Sequence, residues 1–428
     1  MAALNRSQPP EFQVIEHLAI IQPEVESLAN GAQLYTVHGG VQPVLRLELI
    51  FKAGSWYEQV SGSSLFAAKM LLEGTQHKSS AQIHAYIDQF GAAIECSSGF
   101  DSFSITVYSV AKFLEPLLQL LQEILQTPVF AEEELEHIQK LMLQNLSVNL
   151  QKNSYVASQQ MRVRLFGAHH PYGREMDEAT IQQMNREVID EFYKHFVKQK
   201  PFDIIASGWI GDTEKKLIHQ YLGNLPIEPY TKSLASFSFE PLTNPEAYLV
   251  DKPESLQSSL RIATLTLNKK HPDYFSLVML NEIFGGYFGS RLMKNIREDK
   301  GFTYGIYSQL ANQKNAGYWV IGTDVKREFT QQTIDEIHKE ARLLRQELVP
   351  EEELTTVKNY FLGSMAGMFA TPFKTADRFK NLYLNELDYS YYELFFDSIH
   401  QITAEEILRT ANLYLNTDTM LEIVIGGK

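Results

Sequence analysis

Three stretches of this chain recur at nearly constant spacing, and that recurrence constrains the fold more than any other feature. Val44-Leu45-Arg46-Leu47 returns as Ser259-Leu260-Arg261-Ile262, each opening an alternating run. Glu132-Glu133-Glu134-Leu135 returns as Glu351-Glu352-Glu353-Leu354, each opening a long amphipathic pattern. The apolar run around Gly208 returns around Gly426, so all three are displaced by almost the same interval, close to half the chain. Solenoid units run to about 20–50 residues, so a period this long is a duplicated domain. A chain of 428 residues is also too long for one core. The expected layout is a flexible arm at 1–12, an N-terminal domain at 13–225, a linker at 226–245 and a C-terminal domain at 246–428.

Within the first half, Val44–Phe51 alternates as a strand does, and Glu95–Val110 sets Phe103, Ile105 and Val107 against Ser102, Ser104 and Thr106, which predicts a strand with one polar face. Helical patterns cover about 63–73, 80–90, 112–126, 132–151 and 190–197, and a further strand covers Phe202–Ser207. Strands and helices mix without regular βαβ alternation, which favours an α+β fold. The net charge of −14 argues against nucleic acid or an anionic membrane as the main partner. No apolar run reaches the ~18 residues of a membrane span. The N-terminus lacks the apolar stretch of a secretory signal, so the expected location is cytoplasmic. A single cysteine, Cys96, excludes an internal disulfide and any cysteine-based zinc site, and is expected to be a buried, inert thiol.

The chemistry should lie between Gly54 and Thr75. Gly54-Ser-Trp-Tyr-Glu58 is followed by Gly62-Ser-Ser-Leu65-Phe-Ala-Ala68-Lys69-Met-Leu-Leu-Glu-Gly74-Thr75. This resembles the signature of the insulinase-like (M16) zinc peptidases, roughly G-S-x-x-E followed by G-L-A-H-F-L-E-H-M-L-F-x-G-T. In that family H-x-x-E-H lies on one helical face, where two imidazoles reach zinc and the Glu polarises its water. Laid over this chain, the His positions fall on Leu65 and Lys69 and the Glu on Ala68; the third ligand, a Glu on a later helix, falls on Asn145. Leu and Ala offer no lone pair, and Lys69 would set a cation against a cation. Asn145 fits a vacated ligand position, and equally an ordinary hydrogen-bonded Asn at a helix contact. No metal is therefore expected in this chain. Glu73 and His77 are four apart, but Gly74 between them ends the helix. His169-His170-Pro171-Tyr172 resembles a structural H-P-Y loop of the family.

The second half carries Asn281-Glu-Ile-Phe-Gly285-Gly286-Tyr-Phe-Gly289-Ser290-Arg291-Leu292, then Arg297-Glu298-Asp-Lys-Gly301-Phe-Thr-Tyr304. This too resembles the family, with its glycine-rich loop, S-R-L and R-E-x-K-G-x-x-Y. Ser290 is a candidate N-cap, with Leu292 and Ile296 as its packing face. The G-G-x-x-G loop follows a helix and lacks G-K-[ST], which excludes a phosphate loop. The resemblance implies that Arg297 and Tyr304 hold substrate backbone and a tetrahedral intermediate at a zinc site, and that Gly285, Gly286 and Gly289 bind substrate. Without that context, Arg297 reads as a surface residue and Tyr304 as a core residue on a strand.

Together these features imply two homologous α+β domains of the M16, mitochondrial-processing-peptidase-like metallohydrolase fold, forming a clam-like half-chamber. The resemblance further implies a non-catalytic subunit, inactive alone, that closes the chamber of an H-x-x-E-H-bearing M16 partner. It would bind an extended peptide and supply Arg297 and Tyr304 in trans, with zinc in the partner. The isolated chain could form a homodimer. Two alternatives stay open: a peptide-binding or scaffold protein of this fold with no peptidase role, and an active hydrolase with a relocated site. Lys69 reads as a solvated or cavity-lining lysine, and would serve as a base or nucleophile only if buried.

Overall fold

The computed structural model describes Ile15, residues 20–229, Phe237 and residues 247–428. The arm expected at 1–12 lies outside the described residues, and of the linker expected at 226–245 only 226–229 and Phe237 lie inside them.

The first half runs β1 (Glu24–Ser27), β2 (Gln33–His38), β3 (Val44–Phe51), α1 (Ser63–Met70), α2 (Ser80–Asp88), β4 (Ala93–Ser98), β5 (Phe103–Val110), α3 (Leu114–Gln126) and α4 (Glu132–Leu150). It continues through α5 (Asn153–Phe166), α6 (Glu178–Gln183), α7 (Arg186–Phe196), β6 (Phe202–Gly208) and α8 (Asp212–Leu222). The second half runs β7 (Tyr248–Asp251), β8 (Gln257–Thr266), α9 (Tyr274–Asn281), β9 (Ile306–Asn312), β10 (Gly317–Lys326) and α10 (Thr330–Gln346). After these come α11 (Glu351–Gly367), α12 (Pro372–Leu384), α13 (Ser390–Gln401), α14 (Ala404–Tyr414) and β11 (Leu421–Gly426).

The sheets have the orders β1-β2-β6-β3-β5-β4 and β7-β11-β8-β10-β9. From β2 and β7 onward the two orders correspond strand for strand. In each, the first of these pairs is parallel (β2 with β6, β7 with β11) and the rest are antiparallel. The duplication read from the sequence is thus a duplicated α+β topology. Even a backbone approach repeats. Gly208 and Gly426 take φ of 98° and 132°, and a Cβ on either would lie 2.4 Å from Val44 O or 2.6 Å from Gln257 O. Only glycine lets β6 and β11 close on the start of the central strand.

One face of each sheet packs on its own helices. In α3 the residues Leu114, Leu117, Leu118, Leu121, Ile124 and Leu125, spaced by three and four, are all buried in the first core. The other face is covered by the opposite half. Ala376 and Phe379 of α12 pack on Val37, Ile50 and Ile205 of the first sheet, and Ala157 and Met161 of α5 pack among Ala263, Ile423 and Ile425 of the second. The two covering helices begin at 153 and 372, the repeat distance apart.

Arginines fix both crossings. Arg46 on β3 donates to Phe373 O at 3.1 Å and pairs with Asp377 at 2.7 Å. Its repeat counterpart Arg261 on β8 donates to Ser154 O at 3.4 Å and Ser158 Oγ at 3.2 Å. Lys380 pairs with the buried Glu48, and the Tyr383 hydroxyl donates to Asp203 Oδ2 at 2.5 Å.

The sequence reading needs two corrections here. Glu95–Val110 is two strands: the chain turns at Gly99–Ser102, where Gly99 N donates to Ser102 O, so β4 alone forms the sheet edge and β5 lies inside. Ser104 and Thr106, expected on a polar face, are therefore buried. The helix expected to reach residue 73 ends at Met70, ahead of Gly74 with φ of 151°. Cys96, expected to be buried, is half-buried against the first core, and desolvation there pushes its thiol up to about 12.

Replacing Lys380 with Met strands the Glu48 carboxylate. Lys380→Met should destabilise the chain by about 3 kcal/mol in urea denaturation, and Lys380→Met with Glu48→Gln should recover most of that loss. No recovery in the double variant would show that the pair does not act as a unit.

Candidate functional site

The start of the segment that resembles a zinc motif is held by a carboxylate. Gly62 precedes α1 in a left-handed conformation and provides no capping side chain, so the first turn needs another acceptor. The buried Glu58 supplies it: its oxygens accept from Gly62 N at 3.0 Å and Ser64 N at 2.9 Å, as well as from the Ser64 hydroxyl, and it pairs with Arg174 at 2.8 Å. Along α1, Leu65 is half-buried, Ala68 is 3% exposed and Lys69 is exposed; Asn145 on α4 is exposed as well. An aliphatic side chain, a methyl group, a solvent-facing amine and an amide do not fit a zinc ion, so no metal chemistry is assigned here.

Among the described residues no group of three or more His, Cys, Asp or Glu side chains could hold a metal. Glu73 accepts from the Ser80 hydroxyl at 2.5 Å and lies 3.8 Å from His84, while the His77 amide donates to Thr75 Oγ1. His170 and Tyr172 sit in an aromatic cluster with Trp56 and Phe166, and the Tyr172 hydroxyl donates to Asp101 at 2.7 Å. That loop packs as a structural element.

In the second half, α9 runs into a π-helical segment, Glu282–Gly286, and a second one spans Met293–Asp299. Wide turns of this kind are frequent at functional sites. Gly285 and Gly286 therefore belong to the helix end, not to a loop. A Cβ on Gly285 would lie 2.6 Å from Ser308 Cβ, and one on Gly289 would lie 2.8 Å from the Tyr287 ring. Gly285 is buried, whereas Gly286 and Gly289 reach the surface. Ser290 was expected to cap the following turn, but its hydroxyl is buried without a partner. The segment is anchored instead by fully buried Leu292 and Ile296 and by a bidentate pair from Arg291 to Glu353 at 2.9 and 2.8 Å.

Arg297 then stands over the ring of Phe288 at 4.5 Å and 3.8 Å from Glu298. Sequence reasoning missed Phe288, although its place between Gly286 and Gly289 marks an aromatic on an exposed turn. The chain next bends at Gly301. Phe302 stacks on Phe329 at 4.6 Å, and Thr303 Oγ1 donates to Asp324 O at 2.8 Å. With Thr303 tied down before it and the Gly305 carbonyl accepting from Thr323 Oγ1 at 2.9 Å after it, Tyr304 is 95% exposed. It is not a core residue, and its phenol is free to donate to something outside this chain. The same region holds a carboxyl that the sequence reading overlooked. Glu282 lies against Gly286, where a Cβ would meet its carboxyl carbon at 2.8 Å, and burial pushes its pKa up to about 7.

Residues 36–173 match the family model described as Insulinase (Peptidase family M16), and residues 183–361 match the one described as Peptidase M16 inactive domain. The "Uncharacterized zinc protease YmxG" of Bacillus subtilis (strain 168) is 24% identical over 349 residues, covering 77% of this chain and 83% of that protein. The "Non-peptidase homolog YmxG" of Helicobacter pylori is 23% identical over 329 residues, 75% of each chain. The fold is similar to that of a crystal structure of a peptidase M16 inactive domain from Pseudomonas fluorescens, with a TM-score of 0.84 and 26% identity over 95% of this chain and 99% of that one. A protease from Helicobacter pylori has a TM-score of 0.85 at 15% identity, covering 95% of this chain and 100% of that one.

Two measurements follow from this geometry. Elemental analysis should find no stoichiometric zinc in the native chain and one zinc in the variant carrying Leu65→His, Ala68→Glu, Lys69→His and Asn145→Glu. That variant should be destabilised by about 1–3 kcal/mol, because a carboxylate at position 68 overpacks a buried site. The second measurement concerns Glu282, whose folded state holds the proton above the ordinary carboxyl value of 4.5. Stability should therefore fall as pH rises from 4.5 through about 7. Glu282→Gln should lack that decline, which denaturation curves at a series of pH values would resolve.

Proposed function

Because the chain belongs to peptidase family M16 and has no zinc-ligating side chains at the family's metal positions, we propose that it is a non-catalytic subunit that completes an H-x-x-E-H-bearing M16 partner. By itself it is an inactive, peptidase-like M16 protein. The observation that carries the proposal is the presentation of Tyr304: a tyrosine held 95% exposed between the anchored Thr303 and Gly305 contributes nothing to its own core. A phenol and a guanidinium are donors, and donors aimed at a developing oxyanion contribute about 3–4 kcal/mol to turnover. In this reading Arg297, braced over Phe288, and Tyr304 face a peptide carbonyl held by the partner, which supplies the metal and the general base. Extended peptide would be received along a sheet edge, and β4 and β9, at equivalent ends of the two sheets, each have one unpaired side, as do β1 and β7 at the opposite ends.

The test uses the reconstituted pair. Tyr304→Phe removes one hydroxyl from an exposed ring, so melting temperature and assembly should stay unchanged while turnover falls by about 100-fold. Arg297→Ala should also raise KM. A Tyr304→Phe complex with full turnover would instead assign the chain a scaffold role without a part in the chemistry.

A further inference from the structure

A second site lies at the far end of the first sheet and does not depend on the reading above. Phe51, Leu125, Val197, Phe202 and Leu225, all buried, form the apolar wall of a cavity of about 370 Å³ between the end of α3, the end of α7 and the start of β6. That volume is at the small end of the range usual for ligand cavities, about 300–1,000 Å³. Of the polar residues that line it, Gln126 and Gln199 are exposed, Thr127 and Lys198 are half-buried, and Lys200 is buried. Gln199 takes a left-handed φ of 55°, and its carbonyl accepts from Glu228 N at 2.7 Å, which closes the turn and carries Lys200 back over the cavity.

Lys200 is 5% exposed. Its ammonium has three donors, yet its contacts are a long one to Pro229 O at 3.5 Å and the solvent-facing Glu228 at 4.0 Å. A buried cation so poorly satisfied is costly unless something else completes its shell. The other buried walls are hydrocarbon and aromatic, so the completing group must carry its own apolar body. One buried cation neutralises one charge, and a dianionic phosphate would leave excess charge against that apolar wall. The geometry points to a binding site for a medium-chain monocarboxylate, its carboxylate on Lys200 Nζ and its tail against Phe51 and Phe202.

Calorimetric titration and thermal shift of the full chain with sodium octanoate test this, with 1-octanol as the uncharged control. Octanoate should bind saturably at one site and raise the melting temperature, and octanol should bind more weakly. Lys200→Met keeps the apolar stem and removes the charge, so it should weaken octanoate by about tenfold or more and leave octanol unchanged. Should Lys200→Met fail to fold, Gln126→Trp closes the cavity mouth from an exposed position with Lys200 intact, and should abolish binding of both compounds. Non-saturable binding, equal affinity for octanoate and octanol, or octanoate binding that survives the folded variants would overturn the assignment.

Discussion

Two buried arginines at equivalent places in the repeat hold this molecule in one piece. Arg46 and Arg261 each rise from the central strand of their own sheet and bind a helix supplied by the other half, Arg46 at Phe373 and Asp377 and Arg261 at Ser154 and Ser158. The partners repeat as the arginines do: Ser154 stands to Phe373 as Ser158 stands to Asp377, separated by one and the same interval. A guanidinium 9% or 6% exposed must find acceptors, and helix backbone and side chain meet that need only when the opposite half is in place. Neither sheet can thus cover its second face alone, and the two halves depend on each other for their cores.

That mutual cover sets which surfaces remain for function. In the second half, α13 packs on α11, so Phe361, Leu362 and Met365 are buried. Their counterparts on α4, Met142, Leu143 and Leu146, are only half-buried, because the short α6 lies there instead. Leu141 and Val148 on the same helix are 46% and 48% exposed. The first half therefore keeps an open helix, and the second half, which carries Arg297 and Tyr304, has the more complete shell. Glu58 explains how α1 keeps its place. It ties the helix start to Arg174 with charge-assisted bonds in a buried setting.

The sequence by itself determined the duplication, the α+β class and the lack of metal-binding groups at Leu65 and Ala68. These rest on properties that belong to residue types and spacing: Leu65 and Ala68 carry no lone pair in any fold, and a spacing that recurs along the chain needs no coordinates to be read. Only the tertiary structure decided the rest, because burial and pairing are set by neighbours far apart in the chain. Glu95–Val110 alternates well enough to pass for one strand, and its turn shows only when Gly99 N meets Ser102 O. Tyr304 reads equally as core or surface until Phe302 and Thr303 are seen docked against Phe329 and Asp324. Glu282 and Lys200 look like ordinary surface charges in the sequence; desolvation by segments folded over them makes one a weak acid and leaves the other short of acceptors.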